Sequence, residues 1–327
     1  MLGARDPELA ARVCAAFDLG EGVLSVDPVA LGRVGAVWRL EASTGVWAVK
    51  TNENDDQEPG ASATAAFQEA AVRAGVPAPA VRRTFSGDVL APLGGGLTVR
   101  VLAWVDLAAA DIGLDPVAVG ELLAGLHRVP DGPWATGMPA EVDPWFVTPV
   151  GPAAWDEQVS ALRRAGAPFA EDLAAHRDEL VALEAGVRPP RTLRVCHRDL
   201  FADNLRARSA GGLCVFDFDN AGPLDPDYEL AHVVAEFATD ARGAADSGRA
   251  RTLVDAYAAA GGPARLRGPE SFTTVVAVLG HIGHLAGKRW LTTSDEAVRA
   301  DMAGWATELF DRPLTRAVVA DLLDAAG

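Results

Sequence analysis

Cysteine is scarce in this chain of 327 residues, which contains only Cys14, Cys196 and Cys214. Their spacing matches no metal-binding motif, and so small and odd a number is typical of a reducing compartment. Cys196 and Cys214 lie in apolar, strand-like stretches and are interpreted as small core residues rather than catalytic thiols. We therefore predict a cytoplasmic protein.

Long apolar runs and an excess of basic charge are also missing. No stretch of about 18 apolar residues occurs, so no membrane span is expected. The N-terminus mixes acids with its apolar residues and has no cleavage site, unlike a signal peptide. The net charge of −16 argues against a nucleic acid or an anionic membrane as partner, because both require a basic patch. This acidic balance suits a cationic ligand, or it serves solubility alone.

The composition that is present belongs to a globular chain, with 49% hydrophobic and 23% charged residues. A chain of this length exceeds the commonest size of a single core, so two lobes are expected. Apolar periodicity and β-branched runs predict the elements of the first hundred residues. These are a helix at 7–18, a hairpin of strands 37–42 and 46–50, a helix at 62–75 with Ser62 as its N-cap, and strands around 81–90 and 97–105.

Beyond Asp106 the pattern becomes helical, with apolar residues recurring at spacings of three and four. Helices are predicted at 117–129, 155–185, 228–240, 248–260, 271–290, 294–310 and 313–325. Strands followed by helices predict an α+β fold with two lobes. The smaller lobe, at 1–105, holds an antiparallel sheet and a helix, and the larger, mainly helical lobe covers 106–327.

One stretch, VCHRDLFADNLRARSAGGLCVFDFDN at 195–220, carries an unusual set of polar residues. Asp199 follows the strand-like LRVCH, Asn204 lies on the same loop, and Asp217 follows LCVF, which predicts a second buried strand beside the first. Phosphoryl transfer needs a base for the attacking hydroxyl, oxygen ligands for Mg²⁺ and a cation on the nucleotide phosphates. Each residue alone could cap a turn, but the set together predicts such a centre.

Several motifs in this order resemble one known superfamily. HRDLFADN resembles the His-x-Asp-x-x-x-x-Asn catalytic loop of protein-kinase-like enzymes. VFDFDN, GPLDPDYELA and LLAGLH resemble motifs of the aminoglycoside phosphotransferase and choline kinase branch, and WAVK (47–50) resembles the Val-Ala-Ile-Lys strand. The resemblance covers about residues 25–235 and implies a bilobal protein-kinase-like fold. No Ala-Pro-Glu segment follows, which disfavours a protein kinase proper.

The resemblance implies a role for each matching residue in catalysis and metal binding. Asp199 would accept or orient the proton of the substrate hydroxyl. Asn204 and Asp217 would hold Mg²⁺. Asp219 would assist a second metal ion or only cap its strand, and His197 would organise the catalytic loop without acting as a base.

The resemblance likewise implies how ATP, or GTP, would bind. Lys50, kept in place by Glu69, would contact the α- and β-phosphates. Ala48 would pack on the adenine, and the chain at Ala103–Val105 would hydrogen-bond its edge. Gly32 and Gly35 would form a short loop whose backbone approaches the phosphates.

Two positions depart from the pattern of this branch. Arg198 stands where glycine is usual, and its role is open. Glu229 stands where the Asp of Asp-Leu-Ala is usual, which is a chemically mild change. Histidines outside the catalytic loop, including His281 and His284, are interpreted as core residues rather than metal ligands.

The predicted function is an ATP-dependent, or GTP-using, O-phosphotransferase for a small hydroxylated molecule. An aminoglycoside or related antibiotic is the first candidate acceptor, and a choline-, homoserine- or sugar-like alcohol is the alternative. Acids of the helical lobe that could contact a cationic acceptor are Asp143, Asp156, Glu157, Asp295 and Glu296. Rival functions are a nucleotide-binding regulator without turnover and a metal-dependent hydrolase using His197, Asp199 and Asp217.

Overall fold

A computed structural model describes residues 7–21, 23–31, 36–52, 58–94 and 96–326. The chain divides into two compact units, each built from separate segments. The first unit comprises Met1–Ala109, Val129–Met138 and Asn204–Ala221, and the second comprises Ala110–Arg128, Pro139–Asp203 and Gly222–Gly327. The placement of a lobe boundary near residue 105 stays a prediction.

The described part of the chain contains ten strands, most of them short. They are β1 (Val23–Leu31), β2 (Ala36–Ala42), β3 (Gly45–Asn52), β4 (Val81–Arg82), β5 (Ala91–Pro92), β6 (Thr98–Ala103), β7 (Arg194–Cys196), β8 (Leu205–Ala207), β9 (Leu213–Val215) and β10 (Gly222–Leu224).

The described part also contains ten α-helices. They are α1 (Pro7–Phe17), α2 (Glu58–Arg73), α3 (Pro116–His127), α4 (Pro152–Ala165), α5 (Ala170–Glu184), α6 (Pro226–Phe237), α7 (Ser247–Ala259), α8 (Thr273–Thr292), α9 (Glu296–Asp311) and α10 (Arg316–Ala326). None of these helices is long and apolar enough to cross a bilayer.

The first unit is built on an antiparallel sheet with the order β1-β2-β3-β6-β4, and β5 also pairs with β6. The predicted hairpin is present as β2 and β3. Helix α1 packs Val13 and Phe17 into a core with Leu40, Val49 and Val101 of the sheet. Because side chains alternate along a strand, Ala48 and Lys50 of β3 point away from this core.

Two predictions for the first unit are wrong in detail. Helix α2 begins at Glu58, so Ser62 lies inside the helix and is not its N-cap. The segment 81–90 is not one strand, because a turn interrupts it: Thr84 N–H donates to Asp88 O, and Gly87 adopts a positive φ of 93°. Glycine is favoured at such a φ because it has no Cβ.

The second unit is mainly helical, and its helices lie close to the predicted segments. Its two strands, β7 and β10, form a small antiparallel sheet, with Cys196 opposite Gly222. The strand β9, predicted from LCVF, instead pairs with β8 inside the first unit. The two predicted strands of the stretch 195–220 therefore have different pairing partners.

Candidate functional site

Lys50 is the centre of an ion-pair cluster in the first unit. Its Nζ donates to Oδ1 and Oδ2 of Asp217, at 2.8 and 2.9 Å, and to Oδ2 of Asp219 at 2.6 Å. These contacts join WAVK to the DFDN motif, across 167 and 169 positions of sequence. The predicted phosphate-binding lysine and the predicted metal-binding acid therefore lie together.

The environment of Lys50 keeps its ammonium group charged. Burial alone lowers the pKa of Lys50, but the charges and hydrogen bonds of Asp219 and Asp217 outweigh it and raise the pKa above its ordinary value. Desolvation and nearby charge act in opposite directions on a lysine, and the nearby charge dominates here. Lys50 can therefore serve as a fixed cation at any physiological pH.

Arg100 is a member of this cluster that sequence reasoning missed. It lies on β6 directly opposite Lys50, its guanidinium bonds Oδ1 of Asp219, and it is only 5% exposed. Asp219 thus bridges two cations, Lys50 and Arg100. The available signal was an arginine within the apolar strand TVRVLA, since charged residues are seldom buried unless they are paired.

The expected pairing of Lys50 with Glu69 is wrong. Glu69, on α2, instead binds Arg83 through two hydrogen bonds, from Nε at 2.8 Å and from Nη2 at 3.2 Å. Arg83 offers a planar, bidentate partner that a lysine cannot match. Helix α2 contacts the DFDN motif through rings: Phe67 lies 5.8 Å from Phe218, centroid to centroid.

Asn204 and Asp217 are placed by the short β8–β9 sheet of the first unit. Leu205 pairs with Val215, and Phe216 N–H donates to Asn204 O at 3.0 Å. Asp217 itself has a positive φ of 59°, a strained conformation that is concentrated at functional sites. Their amide and carboxylate oxygens are the hard donors that Mg²⁺ prefers, so these residues fit the metal.

The segment predicted to bind the nucleotide base follows β6. Ala103 N–H donates to Ala80 O, and Trp104 N–H donates to Val46 O. Ala48 lies opposite Leu102 in the sheet. Gly32 and Gly35, predicted to approach the phosphates, lie outside the described residues.

In the second unit, Asp199 lies half-buried on the loop after β7. A buried series of hydrogen bonds holds the backbone of this loop. Arg198 N–H donates to Oε1 of Glu229, whose Oε2 lies 2.9 Å from His127 Nε2. His127 Nδ1 lies 2.7 Å from the hydroxyl of Tyr257.

We interpret these buried groups as a hydrogen-bond network rather than a metal site, although His127, Cys196 and Glu229 lie close enough to share an ion. Both nitrogens of His127 already have partners, and burial raises the pKa of the Cys196 thiol well above its ordinary value. Burial would raise the pKa of Glu229, but the His127 hydrogen bond and the charges of His127 and His197 hold it below its ordinary value.

Arg198 has a backbone conformation that suits the glycine usual at this position in the enzymes that the sequence resembles. Its φ is 69°, in the left-handed region that favours glycine. Its side chain is buried, at 8% exposure, with the guanidinium 4.3 Å from the centroid of the Phe146 ring.

Most of the remaining predicted residues of the second unit have structural partners. His281 stacks on Trp145 at 4.8 Å, and His284 meets Trp155 edge-on. Three of the five candidate acids are already engaged. Asp143 caps the turn at Trp145, Asp156 binds Arg177, and Asp295 caps α9.

The chain is similar to several solved structures. A spectinomycin phosphotransferase in complex with ADP and spectinomycin has a TM-score of 0.70 at 11% identity, covering 99% of both chains. An aminoglycoside phosphotransferase from Alicyclobacillus acidocaldarius has a TM-score of 0.58 at 18% identity, covering 95% of both chains. A microcompartment-associated aminopropanol kinase has a TM-score of 0.58 at 17% identity, covering 98% of this chain and 100% of the kinase chain. They confirm the predicted α+β, protein-kinase-like fold.

No curated protein matches the chain by sequence. The model of the phosphotransferase enzyme family, however, matches residues 25–269, which is well over half of the chain. The matched range contains the Lys50 cluster, the Asp199 loop and the Glu229 network. This chain is therefore a phosphotransferase enzyme and belongs to that family.

Proposed function

We propose that this chain transfers the γ-phosphoryl group of ATP, or of GTP, to a hydroxyl of a small molecule. The observation that carries the proposal is the pair of hydrogen bonds from Lys50 Nζ to both oxygens of Asp217. A cation for the phosphates and a carboxylate for Mg²⁺ lie together there, as nucleotide chemistry requires.

Within the first unit, each residue of the site would take one task. Asp217 and Asn204 would hold Mg²⁺, which neutralises charge on the phosphates when it is bound. Lys50 would contact the α- and β-phosphates. Among the described ion pairs, Asp219 bonds two cations, Lys50 and Arg100, whereas Asp217 bonds Lys50, so we assign Asp219 to positioning Lys50 and Asp217 to the metal.

The base of the nucleotide would bind along Ala103–Val105. The N–H groups of Ala103 and Trp104 donate hydrogen bonds within the first unit, so the adenine edge would hydrogen-bond to the Ala103 carbonyl and the Val105 backbone. The small side chain of Ala48 leaves space for a flat ring.

Asp199 would orient the acceptor hydroxyl and accept its proton. A general base of this kind contributes about 10²- to 10⁴-fold to the rate. Glu229 accepts a hydrogen bond from the backbone of the loop that carries Asp199, which holds the backbone beside this carboxylate in place. Catalysis would then depend mainly on positioning and electrostatics.

For the acceptor, we propose an aminoglycoside or a related hydroxylated antibiotic. The acidic balance of the chain supports it, as do similar structures whose names include spectinomycin and aminoglycosides. A choline-, homoserine- or sugar-like alcohol is the second candidate. The observation that favours it is the engagement of Asp143, Asp156 and Asp295 within the fold, because engaged acids offer less charge to a polycation. We also propose a cytoplasmic location.

The first experiment tests nucleotide binding at Lys50. The chain has two lysines, Lys50 and Lys288, so acylation followed by peptide mass spectrometry resolves each one. ATP with Mg²⁺ should protect Lys50 while Lys288 remains an internal control. Equal modification of Lys50 with and without nucleotide would contradict the nucleotide site.

A second experiment separates an enzyme from a regulator. Formation of ADP is followed with spectinomycin, an aminoglycoside, a macrolide, aminopropanol, choline and homoserine as acceptors. Acceptor-dependent formation of ADP supports the transferase. If ATP protects Lys50 but no acceptor leads to formation of ADP, the nucleotide-binding regulator is favoured instead.

A further inference from the structure

Arg198 occupies a backbone conformation that costs energy for any residue with a Cβ. A φ of 69° places it in the left-handed region, which costs a non-glycine residue roughly 1 kcal/mol. Glycine would adopt this φ freely, so the arginine side chain has to supply something that glycine cannot. Its contacts identify that contribution.

The guanidinium of Arg198 is held between three groups of the second unit. It lies 4.3 Å from the centroid of the Phe146 ring, a distance typical of a cation–π contact. Burial lowers the pKa of Arg198, while the charge of Asp143 partly compensates. Phe146 and Asp143 belong to one 3-10 turn, Pro144–Phe146 with Asp143 as its cap.

Gly222 forms the third side of this arrangement. A Cβ built on Gly222 would lie 2.6 Å from Nη2 and 2.7 Å from Cζ of Arg198. These distances are far below van der Waals contact, so the guanidinium occupies the volume that a side chain at 222 would need. The φ of Gly222 is outside the left-handed region, so an alanine there would meet only this steric obstacle.

The turn that Arg198 contacts also carries Trp145, whose ring stacks on His281 of α8 at 4.8 Å. Trp145 packs on a core that contains Phe146 and Cys196, and Phe201, two residues after Asp199, packs on the same core. Arg198 therefore joins the backbone of the Asp199 loop to an aromatic turn within the same unit.

We infer that Arg198 is a positioning residue that fastens the turn 143–147 to the catalytic loop. Its backbone is held by Glu229 and its side chain by Phe146, so Asp199, the next residue, keeps a fixed relation to Trp145. The kinetic consequence of the inference rests on the proposed function, because it assumes that Asp199 orients the acceptor hydroxyl. Its structural part requires no activity.

The experiment is a double-mutant cycle of Arg198→Gly, Gly222→Ala and the two combined. Gly222→Ala should displace the guanidinium, so each single variant should weaken the same contact. In Arg198→Gly the obstacle to a Cβ at 222 is gone, so adding Gly222→Ala should cost little more. The unfolding equilibrium in urea should therefore be strongly non-additive. An additive cycle would overturn the inference.

The kinetic arm uses an acceptor that the wild type phosphorylates. Both single variants should lose roughly tenfold or more in kcat/KM for that acceptor, because small misplacements near a reacting centre are costly. The dissociation constant of ATP should change by less than about twofold. Arg198→Lys should restore part of the acceptor efficiency, because it keeps the charge over Phe146.

Two outcomes separate this inference from the proposed function. If no acceptor is phosphorylated but the urea cycle is non-additive, the proposed function fails and the contact stands. If transfer occurs and Arg198→Gly has wild-type kcat/KM for the acceptor, the positioning role is wrong and the proposed function stands.

The matched control is Arg299→Ala, which removes another arginine–aromatic contact, with Cζ 5.2 Å from the centroid of the Trp290 ring. This variant should leave the acceptor kinetics unchanged.

Discussion

Lys50 takes both of its carboxylate partners from one short motif, at Asp217 and Asp219. The helix acid that the sequence indicated, Glu69, is bound to Arg83 instead. At the scale of single residues, the position of Lys50 is therefore set by Asp217 and Asp219, with Arg100 bonded to Asp219, and not by Glu69 of helix α2.

This arrangement predicts different consequences for two isosteric changes. Asp219→Asn should weaken ATP binding by roughly tenfold, because it removes one of the two charges that hold Lys50 and the only one shared with Arg100 among the described contacts, a loss of about 1.4 kcal/mol. Glu69→Gln should change ATP binding by less than about twofold. Titration calorimetry with ATP, with and without Mg²⁺, measures both constants.

The metal-free titration distinguishes two roles for Asp219. A positioning role weakens nucleotide binding in EDTA as well, whereas loss of a metal ligand would weaken binding only when Mg²⁺ is present. Equal effects of Asp219→Asn and Glu69→Gln would contradict the assignment.

Single-residue partners could be predicted from the sequence only in part. The motifs identified Lys50, Asn204 and Asp217 as residues of one region, and the structure brings them into one unit. They could not identify the partner of Lys50, because several acids lie within reach once the chain folds. Arg100 was missed because its partner, Asp219, is 119 positions away.

At the scale of elements, β7, α3 and α6 are joined by hydrogen bonds at the loop that carries Asp199. His127 ends α3, Glu229 lies in the first turn of α6, and the loop after β7 donates its Arg198 N–H to Glu229. All the side chains of this network are buried, so each polar group depends on its neighbours.

Glu229→Gln should therefore destabilise the protein by about 1–3 kcal/mol at neutral pH, because it leaves buried donors poorly matched. The folded pKa of Glu229 is lowered, so its contribution is present above the unfolded pKa of about 4.3 and is lost as pH falls through the folded value. Urea unfolding of both proteins from about pH 7 to pH 3 measures this.

The difference in unfolding free energy between the wild type and Glu229→Gln should shrink toward the acid end of that series. A difference that stays constant, or one that grows below about pH 4, would contradict a charged Glu229 in the folded state.

Elements were more predictable than their ends. Long amphipathic helices such as α8 and α9 follow strong periodicity and lie within about three residues of the predicted ranges. Helix α2 starts earlier than predicted, because alanine occupies four of the six positions 61–66 and favours a helix without the Ser62 cap. Strand pairing of LCVF with β8 depends on a hairpin register that periodicity does not encode.

At the scale of the whole molecule, the net charge of −16 has two possible uses, attraction of a cationic acceptor or solubility. If it serves attraction, the KM for a cationic acceptor should rise several-fold between about 50 and 200 mM salt, because screening weakens long-range attraction. The KM for ATP, an anion, should not rise. Steady-state kinetics at the two salt concentrations measures both, and a salt-independent acceptor KM would assign the charge to solubility.

The most direct measurement of the central claim follows a phosphoryl group from ATP to an acceptor hydroxyl by mass spectrometry. Wild type is compared with Asp199→Asn and with the matched control Asp203→Asn, which changes an exposed acid on the same loop. We expect an acceptor that gains one phosphoryl group with wild type and with Asp203→Asn, and transfer about 10²- to 10⁴-fold slower with Asp199→Asn. Transfer at the wild-type rate by Asp199→Asn, or no phosphorylated acceptor across the whole panel, would contradict the account.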